Sequence, residues 1–232
     1  MTKKILAIQH DEDVPIGNFQ KWILDYDPSI EIEIIYAREK EIPVDCDTPV
    51  ILFGGENNAY DHEKAPWLIK EKELICNLVK KNIPVFGICL GHQLGCVALG
   101  GEVEVSHPRG REVGVHKITL SALADDEPAL AEYKQQLSEG EEIFVPEWHS
   151  DAVTAVPPKG KILASSDKYI QAVRCGSFLG TQFHPEVNIN TMEKWTKDRA
   201  DKKEILDEYN NKRKEIEKFG QTLLVGFLDS IK

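Results

Sequence analysis

The sequence has no block of lysines and arginines and no stripe of basic residues, although 28 of its 232 residues are cationic. Acidic residues outnumber them at 39, and the formal net charge is −11. A nucleic-acid interface or attraction to an anionic lipid surface needs the opposite balance, so neither partner is expected. Long apolar runs are also missing. Ile5-Leu6-Ala7-Ile8 follows Met1-Thr2-Lys3-Lys4 too briefly to serve as a signal peptide, and no stretch is long enough to span a bilayer. Cysteine is sparse: five residues, an odd number, scattered without a CxxC. With no H-x-x-x-H pair among the histidines either, no metal site is expected, and free thiols fit a reducing cytoplasm. Neither G-x-x-x-x-G-K-[ST] nor a post-strand G-x-G-x-x-G occurs, so the chain shows no nucleotide-binding loop, and no cofactor is expected.

What remains is an ordinary soluble composition, 41% hydrophobic and 29% charged, in a length that suits one large domain. A domain over 1–232 is expected, with a charged helical extension from about residue 191. The first half alternates strand and helix. Strands are expected at Lys4–Gln9, Ile30–Tyr36, Pro49–Phe53 and Ile83–Phe86, and helices over Val14–Tyr26, Pro66–Leu78 and Gln93–Leu99. That pattern predicts an α/β fold, a mostly parallel central sheet with helices on both faces. The second half has short strand candidates at Glu102–Ser106, Val113–Leu120, Glu142–Pro146, Lys161–Ala164, Ile170–Arg174 and Phe178–Phe183, with a helix at Asp125–Leu137. These extend the sheet and add antiparallel strands. In the tail, Glu193/Lys197, Asp198/Lys202 and Glu208/Lys212 stand four apart on an exposed helix face. Ile205, Tyr209, Ile216, Phe219, Leu223 and Phe227 form its apolar stripe, and Gly220 is placed to break or bend it. The more polar stretch from Trp195 to Lys218 is expected to project near His184 as a cap or as a docking surface.

The chemistry concentrates in Gly87-Ile88-Cys89-Leu90-Gly91-His92-Gln93. An apolar strand turns there into a helix, which lifts Cys89 above the sheet in the manner of G-x-S-x-G. Glycines on both sides suit backbone with no room for a Cβ. A thiol at a helix N-terminus feels the positive end of the dipole. The Leu90 N–H is a candidate oxyanion donor, and Gly55 of the Gly54-Gly55 pair after the third strand is a second. The base candidate is His184 in Thr181-Gln182-Phe183-His184-Pro185-Glu186, at a strand end; Glu186 is placed to orient its ring. His149, in Glu147-Trp148-His149-Ser150-Asp151, reads either as a lining residue or as an ordinary loop histidine at the surface, and Asp151 as a carboxylate for an ammonium group.

These residues resemble the class I (triad) glutamine amidotransferases. Gly87–Gln93 and Gln182–Glu186 match that family's two catalytic motifs, Phe53-Gly54-Gly55 is similar to its oxyanion strand, and Trp148-His149-Ser150-Asp151 to the stretch beside its substrate pocket. With Tyr60-Asp61 and Pro66-Trp67-Leu68, the chain looks like the stand-alone group related to the glutaminase domain of GMP synthase, with Glu56 in the place of a proline. The resemblance implies a Cys89–His184–Glu186 triad, a γ-glutamyl thioester, and a glutamine pocket touching Gly54, Gln93, His149, Ser150 and Asp151. No S-G-G-x-D-S signature follows, so the resemblance implies either ammonia passed to a separate synthetase subunit or an enzyme that cleaves γ-glutamyl compounds by itself. Two alternatives stay open: a γ-glutamyl hydrolase or peptidase using the same triad, and a non-catalytic binding protein that kept the fold.

Overall fold

The computed structural model describes residues 3–231. β1 (Lys4–Gln9), α1 (Asn18–Tyr26), β2 (Glu31–Tyr36), β3 (Val50–Leu52), α2 (Trp67–Lys80), β4 (Val85–Ile88) and α3 (Leu90–Ala98) make up the first half. The second contains β5 (Glu102–Glu104), β6 (Glu112–Leu120), α4 (Pro128–Gln136), β7 (Ile143–His149), β8 (Ala152–Ala155), β9 (Lys161–Ser165), β10 (Ile170–Cys175), β11 (Phe178–Thr181), α5 (Ile189–Trp195) and α6 (Lys202–Asp229). Nine strands form one sheet in the order β2-β1-β3-β4-β11-β10-β9-β6-β7. The five from β2 to β11 run parallel, and the remaining four are added antiparallel.

The strand period of two explains the layers. Ile5 and Ala7 of β1 join the cluster that holds Phe19 of α1 and Phe227 of α6. Leu6 and Ile8 point the other way, into the cluster with Leu74 and Leu78 of α2 and Leu94 of α3. Residues buried on both faces read as continuous apolar runs, as the first half does.

Several boundaries differ from the sequence expectation for local reasons. The first helix starts at Asn18, because Pro15 and Gly17 precede it and Gly17 takes a φ of 57°. The expected helix over Asp125–Leu137 is split: a 3₁₀ turn covers Ala122–Asp126 and α4 begins at Pro128. Glu127 between them is extended, at φ −99° and ψ 108°, as a residue before proline prefers. The strand expected at Glu102–Ser106 does not extend the central sheet. Its short version β5 pairs with β8, a strand that the sequence reading left unassigned.

The tail departs most. Helix is interrupted after Trp195 and resumes at Lys202, and Gly220 neither breaks nor ends α6. A Cβ on Gly220 would lie 2.5 Å from the Pro185 carbonyl oxygen, so its role is close approach to the loop that carries His184. Of the polar stretch, Trp195 stands against His184, but the part from Ile205 to Ile216 does not project. Ile205, Tyr209 and Ile216 are buried with Val115 of β6, Val187 and Met192, and Tyr209 Oη donates to the Val187 carbonyl at 3.1 Å.

Candidate active site

Four loops meet at the carboxyl edge of the parallel strands, where open α/β sheets place their ligands. His10 follows β1, Gly54-Gly55 follows β3, Cys89 follows β4, and His184 lies three residues past β11. The elbow is strained as its motif requires. Cys89 has φ 50° and ψ −102°, a positive φ at a residue with a side chain. Its N–H donates to the Thr181 carbonyl at 2.8 Å, which continues the β4–β11 ladder by one residue. Its two glycines are steric necessities. A Cβ on Gly87 would meet the Gly91 carbonyl oxygen at 2.4 Å, and one on Gly91 would meet that of Leu52 at 2.4 Å.

His184 is buried, and its Nδ1–H donates to Glu186 Oε1 at 2.8 Å. Burial works against a charge on the ring, but the Glu186 carboxylate and the Cys89 sulfur outweigh it and raise the His184 pKa to about 10. Gly54 sits where a Cβ would lie 2.9 Å from His184 Cε1 and 3.4 Å from Cys89 Cβ, so the close packing of the β3 loop beside these two residues leaves no room for a side chain. The first residue of α1 anchors the backbone of the acid: the Asn18 N–H donates to the Glu186 main-chain carbonyl at 2.7 Å.

A cavity of about 390 Å³ opens onto Cys89 and His184, within the ~300–1,000 Å³ range of small-molecule sites. Gly55, Gln93, His149, Ser150 and Asp151 all line it. Gly54 lies against Cys89 and His184 and is not part of the lining. Both amide hydrogens of Gln93 are committed, to the Asp151 carbonyl and to Gln182 Oε1, each at 3.1 Å, which leaves its own carbonyl oxygen on offer. The Asp151 carboxylate accepts from the Ser106 N–H at 2.8 Å and faces the cavity rim.

His149 is not a surface residue. It ends β7 buried, with Nδ1–H on the Asp151 carbonyl at 2.9 Å and Nε2–H on Glu112 Oε2 at 3.2 Å. Glu147 Oε2 is 3.3 Å from the same nitrogen. Burial disfavours the charged ring, but these two carboxylates prevail and raise its pKa to about 10. Burial pushes Glu147 upward, while hydrogen bonds from His149 and Ser166 overcome burial and lower Glu112. Among the described residues, Glu112, Glu147 and His149 are the one group whose ligand-type atoms converge as a metal site would need, within 4.8 Å. Since both His149 nitrogens face acceptors, the ring holds two protons and is a cation itself rather than a ligand. The histidine of the elbow helix, His92, is driven the opposite way: burial, then the charge on His149, lowers it to about 3.

Three further participants join the site. Gln182 Nε2 donates to Cys89 Sγ at 3.5 Å and ties it to Gln93. The Trp195 ring stands edge-on to His184, with centroids 4.7 Å apart, and its Nε1–H donates to the Asp13 carbonyl at 2.7 Å. The pair of His10 and Glu71 lies directly beneath Gly54. Gln182 carried a signal, as part of the stretch before His184, and Trp195 opens the stretch expected to cap His184; His10 and Glu71 had none, being distant in sequence.

Comparison with known proteins identifies the family and the fold. The family model described as glutamine amidotransferase class-I matches residues 21–202. A GMP synthase (glutamine-hydrolysing) of Malacoplasma penetrans is 35% identical over 179 residues, 75% of this chain and 29% of that protein. The chain spans about a third or less of the length of the GMP synthases it resembles, 19% in Dictyostelium discoideum. A gamma-glutamyl-L-1-hydroxyisopropylamide hydrolase of Pseudomonas sp. is 25% identical over 185 residues, 75% of this chain and 60% of that one. A crystal structure of a glutamine amidotransferase from Thermotoga maritima superposes with a TM-score of 0.81 at 27% identity, covering 100% of this chain and 98% of the other.

Proposed function

The chain belongs to the class-I glutamine amidotransferase family, and from that premise we propose that it hydrolyses the γ-amide of glutamine through a thioester on Cys89. Cys89 Sγ attacks the amide carbon, and its proton passes to His184 Nε2. The oxyanion of the tetrahedral intermediate lies between the N–H groups of Gly55 and Leu90. His184 then protonates the leaving nitrogen, and ammonia departs from the γ-glutamyl thioester. Water, losing its proton to His184, attacks that thioester; glutamate leaves and the thiol is restored. Glu186 holds the Nδ1–H tautomer throughout and stabilises the imidazolium. The observation that carries the reading is the 2.8 Å contact of His184 with Glu186 beside a cysteine held at positive φ. Gln93, His149, Ser150 and Asp151 are assigned to the substrate by their place in the cavity lining. The residues form one catalytic domain, with α5 and α6 as its extension. Five free cysteines support a reducing, cytoplasmic setting. No helix among the described residues is long and apolar enough to cross a membrane.

The γ-glutamyl substrate and the use of its amide nitrogen have two readings. The GMP synthase relatives support delivery to a separate synthetase subunit. The hydrolase relative supports a second reading, cleavage of γ-glutamyl amides or peptides for their own sake by the same triad. A product assay of the purified chain with glutamine, glutathione and other γ-glutamyl peptides separates them. Ammonia from glutamine as the fastest reaction supports the first, and faster cleavage of the peptides supports the second. No cleavage of any of them, with or without a synthetase, contradicts both and leaves the binding-protein reading.

A further inference from the structure

His10 and Glu71 are far apart in sequence and belong to no recognised motif, yet both are buried at the base of the β3 loop. His10 Nε2 lies 3.0 and 2.9 Å from the two Glu71 oxygens, and His10 Nδ1 lies 3.1 Å from the Gly54 carbonyl oxygen. A carboxylate on one side and a carbonyl on the other can only accept, so the ring donates from both nitrogens and is an imidazolium. Burial opposes that charge, and the Glu71 carboxylate overcomes it.

The consequence reaches the reaction through one peptide plane. The carbonyl of Gly54 and the N–H of Gly55 belong to the same trans peptide and point in opposite directions. Pinning the oxygen toward His10 turns the Gly55 N–H to the other side, toward the cavity that Gly55 lines with Cys89. The next peptide is pinned as well: the Glu56 N–H, which a proline at 56 would lack, donates to Asp11 Oδ2 at 2.7 Å. Arg38 fixes that arm, its Nε–H donating to the His10 carbonyl at 3.0 Å and its guanidinium pairing with Asp11. Between the two anchors Gly55 has no freedom. A Cβ there would meet His10 Cβ at 2.8 Å and Asp11 Oδ2 and Leu90 Cδ2 at 3.0 Å. Among the described residues the Gly55 N–H has no acceptor of its own.

We propose that His10, paired with Glu71, is a positioning residue for catalysis: it aims the Gly55 N–H at the developing oxyanion. The inference rests on the thioester reading above and adds to it a buried ion pair that holds an oxyanion donor in place before substrate arrives.

The test uses the full chain and three variants, His10→Gln, Glu71→Gln and the double variant, in which no buried charge is left unpaired if a single change fails to fold. Glu71→Gln keeps the Nδ1–H, because the new amide can donate to Nε2. Three readouts are taken: kcat and KM on the best γ-glutamyl substrate, the rate at which iodoacetamide alkylates Cys89, and hydrogen exchange at the Glu56 N–H. The expected result for His10→Gln, or for the double variant, is a kcat lowered by ~100-fold, as for loss of one oxyanion donor. KM should stay within about threefold by the same reasoning that the donor acts in the transition state. Alkylation should be unchanged, since it forms no oxyanion, while Glu56 exchange quickens; Glu71→Gln should lose far less. Unchanged kcat in a folded His10 variant overturns the proposal, and so does an alkylation rate that falls in step with kcat. If the wild-type chain cleaves no γ-glutamyl compound, the thioester reading fails instead. Glu56 exchange then decides on its own whether His10 holds the loop: unchanged protection in the folded double variant overturns it.

Discussion

Glu112 and His149 are direct cross-strand partners on β6 and β7, joined by a 3.2 Å hydrogen bond with both side chains buried. The pair places a cation at the wall of the cavity that holds Cys89. It also makes stability depend on pH. The folded-state pKa of His149 lies at about 10 against an ordinary 6.5, so the native state binds an extra proton between those values. The stabilisation is complete below about pH 6.5 and is lost as pH rises toward about 10. Glu112→Gln is expected to destabilise by about 3 kcal/mol at pH 6.5, as for one lost partner of a buried pair. It should also flatten the fall of Tm with pH. Thermal melts of both proteins from pH 6.5 to 9.5 check this; parallel curves would remove Glu112 as the source of the shift.

Cys89→Ser is expected to lower turnover more than ~1,000-fold and leave the melting temperature nearly unchanged. Oxygen replaces sulfur with little change of volume, but a hydroxyl is a far weaker nucleophile beside the same base. Cys46→Ser and Cys76→Ser, at half-buried positions away from the cavity, should keep wild-type activity. Full activity in Cys89→Ser would move the nucleophile elsewhere.

Glu186→Gln is expected to cost roughly 100-fold or more in kcat, yet less than His184→Ala. The amide carries no charge and can offer an N–H to Nδ1, which selects the wrong tautomer. Steady-state rates across pH compare the two variants. Wild-type kcat in Glu186→Gln would reduce the site to a Cys89–His184 dyad.

Gly220→Ala sets two effects against each other. Alanine should gain ~1 kcal/mol of helix propensity in α6. The added Cβ, 2.5 Å from the Pro185 carbonyl oxygen, must push the helix or the loop away, at a cost of about 1–3 kcal/mol. We expect net destabilisation together with a lower kcat, because the displaced loop carries His184 and Glu186. A more stable, fully active variant would show that the contact yields without consequence.

Removing residues 221–232 should make the protein insoluble. Leu223, Leu224, Phe227 and Leu228 are buried in the cluster with Phe19 and Phe86, and their loss uncovers that face of the sheet. Replacing 195–215 by a short linker should also unfold the β6–β7 side, since it deletes Ile205 and Tyr209 from their cluster. Solubility and circular dichroism of the two truncations decide both points.

By itself the sequence determined the parts whose signals are local. The period of two in the strands, the apolar runs of the buried ones, and the glycine pair around Cys89 follow from backbone sterics acting within a few residues. So does the His184-Pro185-Glu186 turn, whose acid lies two positions from its ring. The tertiary structure alone decided the partners that meet across the sheet. Periodicity says which face of α2 is buried but not that Glu71, on that face, will find His10 sixty-one residues away. It makes β6 and β7 strands without setting the register that puts Glu112 opposite His149. It marks Gly220 as a weak point in a helix, whereas the packed molecule uses the missing Cβ to seat α6 against Pro185. Charge pairing and close approach depend on distance in space, and the folded chain alone sets those distances.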